Sequence, residues 1–148
     1  MSLKSLPPDS STETLLEVFA EDGAVIVQNI CPAANVDALV EELSPFIHTT
    51  PKGNDEFTGF ETQRTGALVA RSPRARAFVM QQQVLDCARG FLSPHAERIQ
   101  LHLTQTININ PGQGAQYLHR DRLAWGMHLP REIEPQFNTM WEIGRAHV

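Results

Sequence analysis

From Arg98 to Asn110 the chain alternates; it then turns and sets an imidazole, His119, two residues from a carboxylate, Asp121. Leu101, Leu103, Gln105, Ile107 and Ile109 share one face of the alternation; His102, Thr104, Thr106, Asn108 and Asn110 share the other. A period of two is that of a half-buried β-strand. Pro111-Gly112-Gln113-Gly114 follows as a turn, and Gln116 to Asp121 reads as a second strand, an antiparallel neighbour of the first. On a strand, residues i and i+2 project from one face, which would set His119 beside Asp121. Those are two of the three ligands of the 2-His-1-carboxylate triad that holds non-haem Fe(II) with positions left open. The third is not evident downstream. His128 lies close behind Asp121 and reads as a loop residue, while His48, His95 and His102 precede the pair.

The N-terminal part is helical in pattern. Residues 1–9, with Pro7-Pro8, read as a disordered lead-in. Ser10 and Glu13 form a capping-box pattern ahead of Leu15, Leu16, Val18 and Phe19, and Asp22-Gly23 closes that helix. Ala24 to Gln28 reads as a short buried strand. Pro32 opens a second amphipathic helix, carrying Val36, Leu39, Val40 and Leu43 and ending near Pro45. A polar loop occupies 48–58, and Thr65-Gly66 is a turn. A third helix starts at Ser72-Pro73, runs with a break to about Phe91 and stops at Ser93-Pro94. A further strand begins within Phe137 to Trp141. Helices first and strands later indicate an α+β fold.

Bulk properties narrow the function. A chain of 148 residues is long enough for one domain with a real core. The net charge of −5 carries no basic stripe, which gives nucleic-acid binding no support. No apolar run has the length of a membrane span, and the start lacks a secretory h-region. Cys31 and Cys87 read as free thiols of a reducing compartment, with the cytoplasm as the expected location.

The run Gln105 to Asp121 resembles the phytanoyl-CoA dioxygenase family of Fe(II)/2-oxoglutarate-dependent oxygenases, in which a strand and a Pro-Gly turn lead to Gln-x-Leu-His-x-Asp. Thr65 to Pro73 and the N-terminal helix ending in Asp-Gly resemble it as well, so that the likeness covers about residues 12–141. The resemblance implies N-terminal helices packed on a double-stranded β-helix, or jelly-roll, core. It implies Fe(II) held by His119 and Asp121, 2-oxoglutarate as co-substrate, O₂, a small organic or acyl substrate that is hydroxylated, and ascorbate as an accessory. The aspartate, where halogenating relatives vacate the position for chloride, points to hydroxylation. Gln105 is either a barrel-end amide or a pocket residue near the co-substrate, and Ile107 would line the same pocket. Trp141 resembles an aromatic that flanks the 2-oxoglutarate site, a role compatible with core packing. Gln116 is either an orienting residue behind the ligands or a surface residue. Arg64 and Arg71 read as solvated charges rather than substrate anchors.

Residues 1–141 thus read as the N-terminal part of one such domain, cut before the core is complete. Glu142-Ile143-Gly144-Arg145-Ala146-His147-Val148 follows the translation of a common sequencing-adapter sequence. The expectation is that this tail is not native, so that His147 is not the missing ligand. The distal histidine and the arginine that clamps 2-oxoglutarate by bidentate pairing would lie beyond it. The rival from another class is a non-catalytic jelly-roll module that binds a small ligand or metal.

Overall fold

The computed structural model describes residues 3–144; Arg145 to Val148, with His147, lie outside the described residues. The described residues form four short strands and five helices in the order β1 (Ser5–Leu6), α1 (Thr12–Asp22), β2 (Ile26–Val27), α2 (Ala33–Thr49), β3 (Thr62–Gly66), α3 (Leu68–Arg71), α4 (Pro73–Val79), α5 (Gln82–Leu92) and β4 (Gln105–Ile109). A 3₁₀ turn, Asp121–Ala124, follows. The sheets are small: β1 pairs with β2 in parallel, and β3 with β4 antiparallel. The class is α+β. No described helix is long and apolar enough to cross a membrane.

The helix signals act largely where the sequence put them. The cap of α1 is Ser11 rather than Ser10: its hydroxyl accepts the Thr14 N–H at 3.1 Å, while the Ser10 hydroxyl donates to the Pro7 carbonyl. Gly23, at φ 76°, adopts the left-handed turn that ends the helix and donates to the Phe19 carbonyl. The lead-in is not free of structure, because Ser5 and Leu6 pair with Ile26 and Val27. Helix α2 does not end at Pro45; it carries the proline inside and continues to Thr49. The apolar stripe explains this, since Phe46 and Ile47 pack against the core of Leu39, Leu43 and Ala75. Such burial favours one more turn over the helix-breaking cost of proline. The Thr49 hydroxyl then donates to the Phe46 carbonyl at 3.2 Å, one of the groups the last turn leaves free.

The strand pattern held its period but not its extent or its buried face. Only Gln105–Ile109 of the expected 98–110 run is strand, and its partner is β3, with Thr62 opposite Ile109 and Gly66 opposite Gln105. Thr65-Gly66 is therefore the end of a strand and not a free turn. On the face that carries Gln63 and Asn108, Thr65 and Thr106 are buried, whereas Ile107 and Ile109 on the opposite face of β4, with Leu101 and Leu103 before it, are exposed. Hydrogen bonds account for the inversion. The Gln63 amide donates to the carbonyls of Ile47 and Thr50 at the end of α2 and accepts from Asn108 across the ladder. The Thr50 hydroxyl donates to Phe46, so Thr65 donates to Thr50 at 2.8 Å. The polar face is thus the one docked on the helices.

Ser72 is the second fixed point. It is fully buried, caps α4 by accepting the Ala75 N–H at 2.9 Å, and donates to Glu42 of α2 at 2.5 Å. That hydroxyl is the main reason the Glu42 carboxyl is held below the usual glutamate range, with Arg74 adding to it. Replacing Ser72 by alanine should cost about 1–2 kcal/mol in urea denaturation of the chain. The depressed carboxyl stabilises the fold above the ordinary glutamate range and ceases to as pH falls through its lowered value. The gap between wild type and Ser72→Ala should therefore narrow in acid; a gap that widens there would contradict this contact.

Candidate metal centre

The turn at Pro111–Gly114 reaches the site through glutamine side chains. Asn110 closes β4 by donating both its backbone and its side-chain N–H to the Glu61 carbonyl. Gln113 Oε1 then accepts the Glu61 N–H at 2.8 Å. Gly59, at φ 88°, makes this approach feasible; a β-carbon there would stand 2.8 Å from that same oxygen and 2.5 Å from the Thr62 hydroxyl. Gln116 donates to the Phe57 carbonyl at 2.6 Å. The segment that leads to His119 is thus tied to the 57–61 loop at two points. In the same loop Asp55 accepts the Thr58 N–H and hydroxyl, and the first of these chiefly holds its carboxyl below the usual aspartate range.

The expected strand carrying His119 and Asp121 is not formed. Residues 115–120 have no regular secondary structure, and Asp121 opens the 3₁₀ turn. The two side chains meet nonetheless, with His119 Nε2 at 3.5 Å from Asp121 Oδ1. His119 Nδ1 lies 2.9 Å from the Tyr117 carbonyl. A carbonyl only accepts, so Nδ1 carries the proton and donates. In neutral imidazole Nε2 then holds a lone pair that faces the carboxylate oxygen. The Phe57 ring packs edge-on against the imidazole at 4.9 Å, and Asn138 Nδ2 donates to Asp121 Oδ2 at 2.9 Å.

Around the pair the chain folds back on itself. Arg122, its side chain only 12% exposed, donates to the carbonyls of Leu129, Pro130 and Ile133 and lies near Glu134. Phe137 packs against Phe19 of α1 and Phe91 of α5. The expected strand within 137–141 is absent; the segment is irregular and held by these side chains instead. Trp141 packs edge-on against Phe78 at 4.7 Å.

His119, Asp121, Phe137, Asn138 and Trp141 all border one open groove of about 1580 Å³, whose walls come from α1, α5 and the β2 region. Gln105 and Ile107 are not among the residues that line it. Arg64 is not a free charge, since it donates to the Thr58 carbonyl, and Arg71 lies over the Phe46 ring. Among the described residues no three His, Cys, Asp or Glu side chains come together as a metal site. His48 pairs with Ser44, and His102 packs on Trp125. Sequence reasoning missed Phe57, Gln113 and Asn138. Only Gln113, next to the Pro-Gly turn, had a local signal.

The family model for phytanoyl-CoA dioxygenase matches residues 19–143, a span that includes the His119/Asp121 pair. The chain belongs to the phytanoyl-CoA dioxygenase family. Among its relatives is the dioxygenase ALT11 of Alternaria alternata, 34% identical over 131 residues that cover 80% of this chain and 43% of that protein. The multifunctional dioxygenase ausE of Penicillium brasilianum is 28% identical, covering 96% of this chain and 46% of its own length. The dioxygenase FUM3 of Gibberella moniliformis is 26% identical, covering 93% and 51%. The chain spans about half the length of the curated relatives it matches.

Arg122→Ala would free three carbonyls from a charged donor. Stability should fall by about 1–3 kcal/mol, read as the urea midpoint of the chain. An unchanged midpoint would show that the 129–134 segment holds its place without the guanidinium.

Proposed function

We propose that this chain is the metal-binding part of an Fe(II)/2-oxoglutarate-dependent dioxygenase that hydroxylates a small organic or acyl substrate. The observation that carries the reading is the facing of His119 Nε2 and Asp121 Oδ1 at 3.5 Å, with the imidazole tautomer set by the Tyr117 carbonyl. Two donors each about 2.1 Å from one ion stand roughly 3–3.5 Å apart at neighbouring positions. A nitrogen and a carboxylate oxygen suit Fe(II). The residues present therefore fit the group at two positions. Iron and 2-oxoglutarate, when bound, supply the oxidising power that inserts an oxygen atom of O₂ into a C–H bond. His119 and Asp121 would hold the ion, while the Phe57 ring shields one side of the imidazole from water.

For the co-substrate we propose Gln105, Ile107 and Trp141. Trp141 has the stronger support, since it borders the groove that contains the pair. Gln105 and Ile107 belong to the proposal through the jelly-roll arrangement of the family: the exposed Leu101/Leu103/Ile107/Ile109 face would lie inside the barrel of the whole protein. Ascorbate would serve as reductant. Both cysteines are free, which agrees with a reducing cytoplasmic setting.

In the longest reading frame that carries this chain, His119→Ala and Asp121→Ala should each abolish succinate release in an assay with Fe(II), ascorbate and 2-oxoglutarate. Release near wild type from both variants would mean that iron is held elsewhere.

A further inference from the structure

We infer that Asn138 is a positioning residue for the Asp121 carboxylate, fixing which of its two oxygens is offered to the ion. This rests on the reading of His119 and Asp121 as metal ligands. Asp121 Oδ1 faces His119 Nε2, while Oδ2 accepts the Asn138 amide N–H at 2.9 Å. A hydrogen bond from a neutral amide to a carboxylate is charge-assisted and directional. With Oδ2 so engaged, the carboxylate presents a single oxygen beside the imidazole nitrogen. Without it, Asp121 at the open end of a 3₁₀ turn is free to rotate, to bond water, or to take an ion through both oxygens.

Asn138 is able to do this because its own place is fixed from two sides. Phe137, its neighbour, is wedged against Phe19 and Phe91 of the α1/α5 pair. Arg122 holds the carbonyls of Leu129, Pro130 and Ile133, which returns the chain toward the turn that bears Asp121. The helical core thereby sets the orientation of a ligand it does not touch. Partners behind metal ligands affect affinity by about 10–100-fold when removed.

The test is Mn(II) affinity of the 148-residue chain, from the electron paramagnetic resonance signal of free Mn(II), together with the urea midpoint. Asn138→Leu and Asn138→Ala should each weaken binding by about 10–100-fold with the midpoint unchanged, the side chain being exposed. In an Asp121→Ala background the same substitutions should add nothing. If Asp121→Ala binds weakly while both Asn138 variants bind as wild type, the positioning role is wrong and the ligand assignment stands. If Asn138 variants lower affinity equally with and without Asp121, they act through the fold, and the inference fails. If Asp121→Ala binds as wild type, the ligand assignment fails and takes the inference with it.

Discussion

The amide of Gln63 sits where three parts of the molecule meet, and much of the architecture follows from its bonds. It donates to the carbonyls of Ile47 in α2 and of Thr50 just after it, accepts from Asn108 on β4, and belongs to β3 itself. The Thr50–Thr65 hydroxyl pair and the Thr104 hydroxyl, which accepts the Leu68 N–H, extend the same polar seam. Polar groups removed from water demand partners, so this seam specifies one docking of the ladder on the helices. The apolar side of β4 is left facing outward. The ladder then aims the turn after β4 at the 57–61 loop, where Gln113 and Gln116 fasten it and Phe57 meets His119.

At the site, the arrangement is one of lone pairs rather than of a closed cage. The Tyr117 carbonyl determines the imidazole tautomer and Asn138 occupies one carboxylate oxygen, leaving a nitrogen and an oxygen that face each other. Each of the two proposed ligands is therefore oriented by a neighbouring group. Those neighbours come from different places: Tyr117 from the same segment, Asn138 from a segment anchored on the α1/α5 pair.

Local signals were legible in the sequence and long-range ones were not. Gly23 and Ser72-Pro73 mark helix ends because their chemistry acts on adjacent backbone groups. Pro45 misled because tertiary burial of Phe46 and Ile47 outweighed a local penalty. Alternation along 101–109 correctly signalled a strand at its end, but the buried face was decided by hydrogen bonds to α2 and β3, which no periodicity encodes. His119 and Asp121 were expected to meet on a strand; they meet instead where an irregular segment enters a 3₁₀ turn, so the spacing was informative although the premise was not. Asn138 carried no signal, because its role depends on how Arg122 and Phe137 fold the chain back.

The central claim is that His119 and Asp121 share one divalent cation. Paramagnetic broadening of amide and imidazole resonances on titrating the chain with Mn(II) tests it at residue level. The account predicts that broadening begins at His119, Asp121 and Asn138 and reaches Phe57 next, with His48 and His102 unaffected at low Mn(II). Broadening that begins at another histidine or an acidic surface cluster, with His119 and Asp121 left sharp, would contradict it.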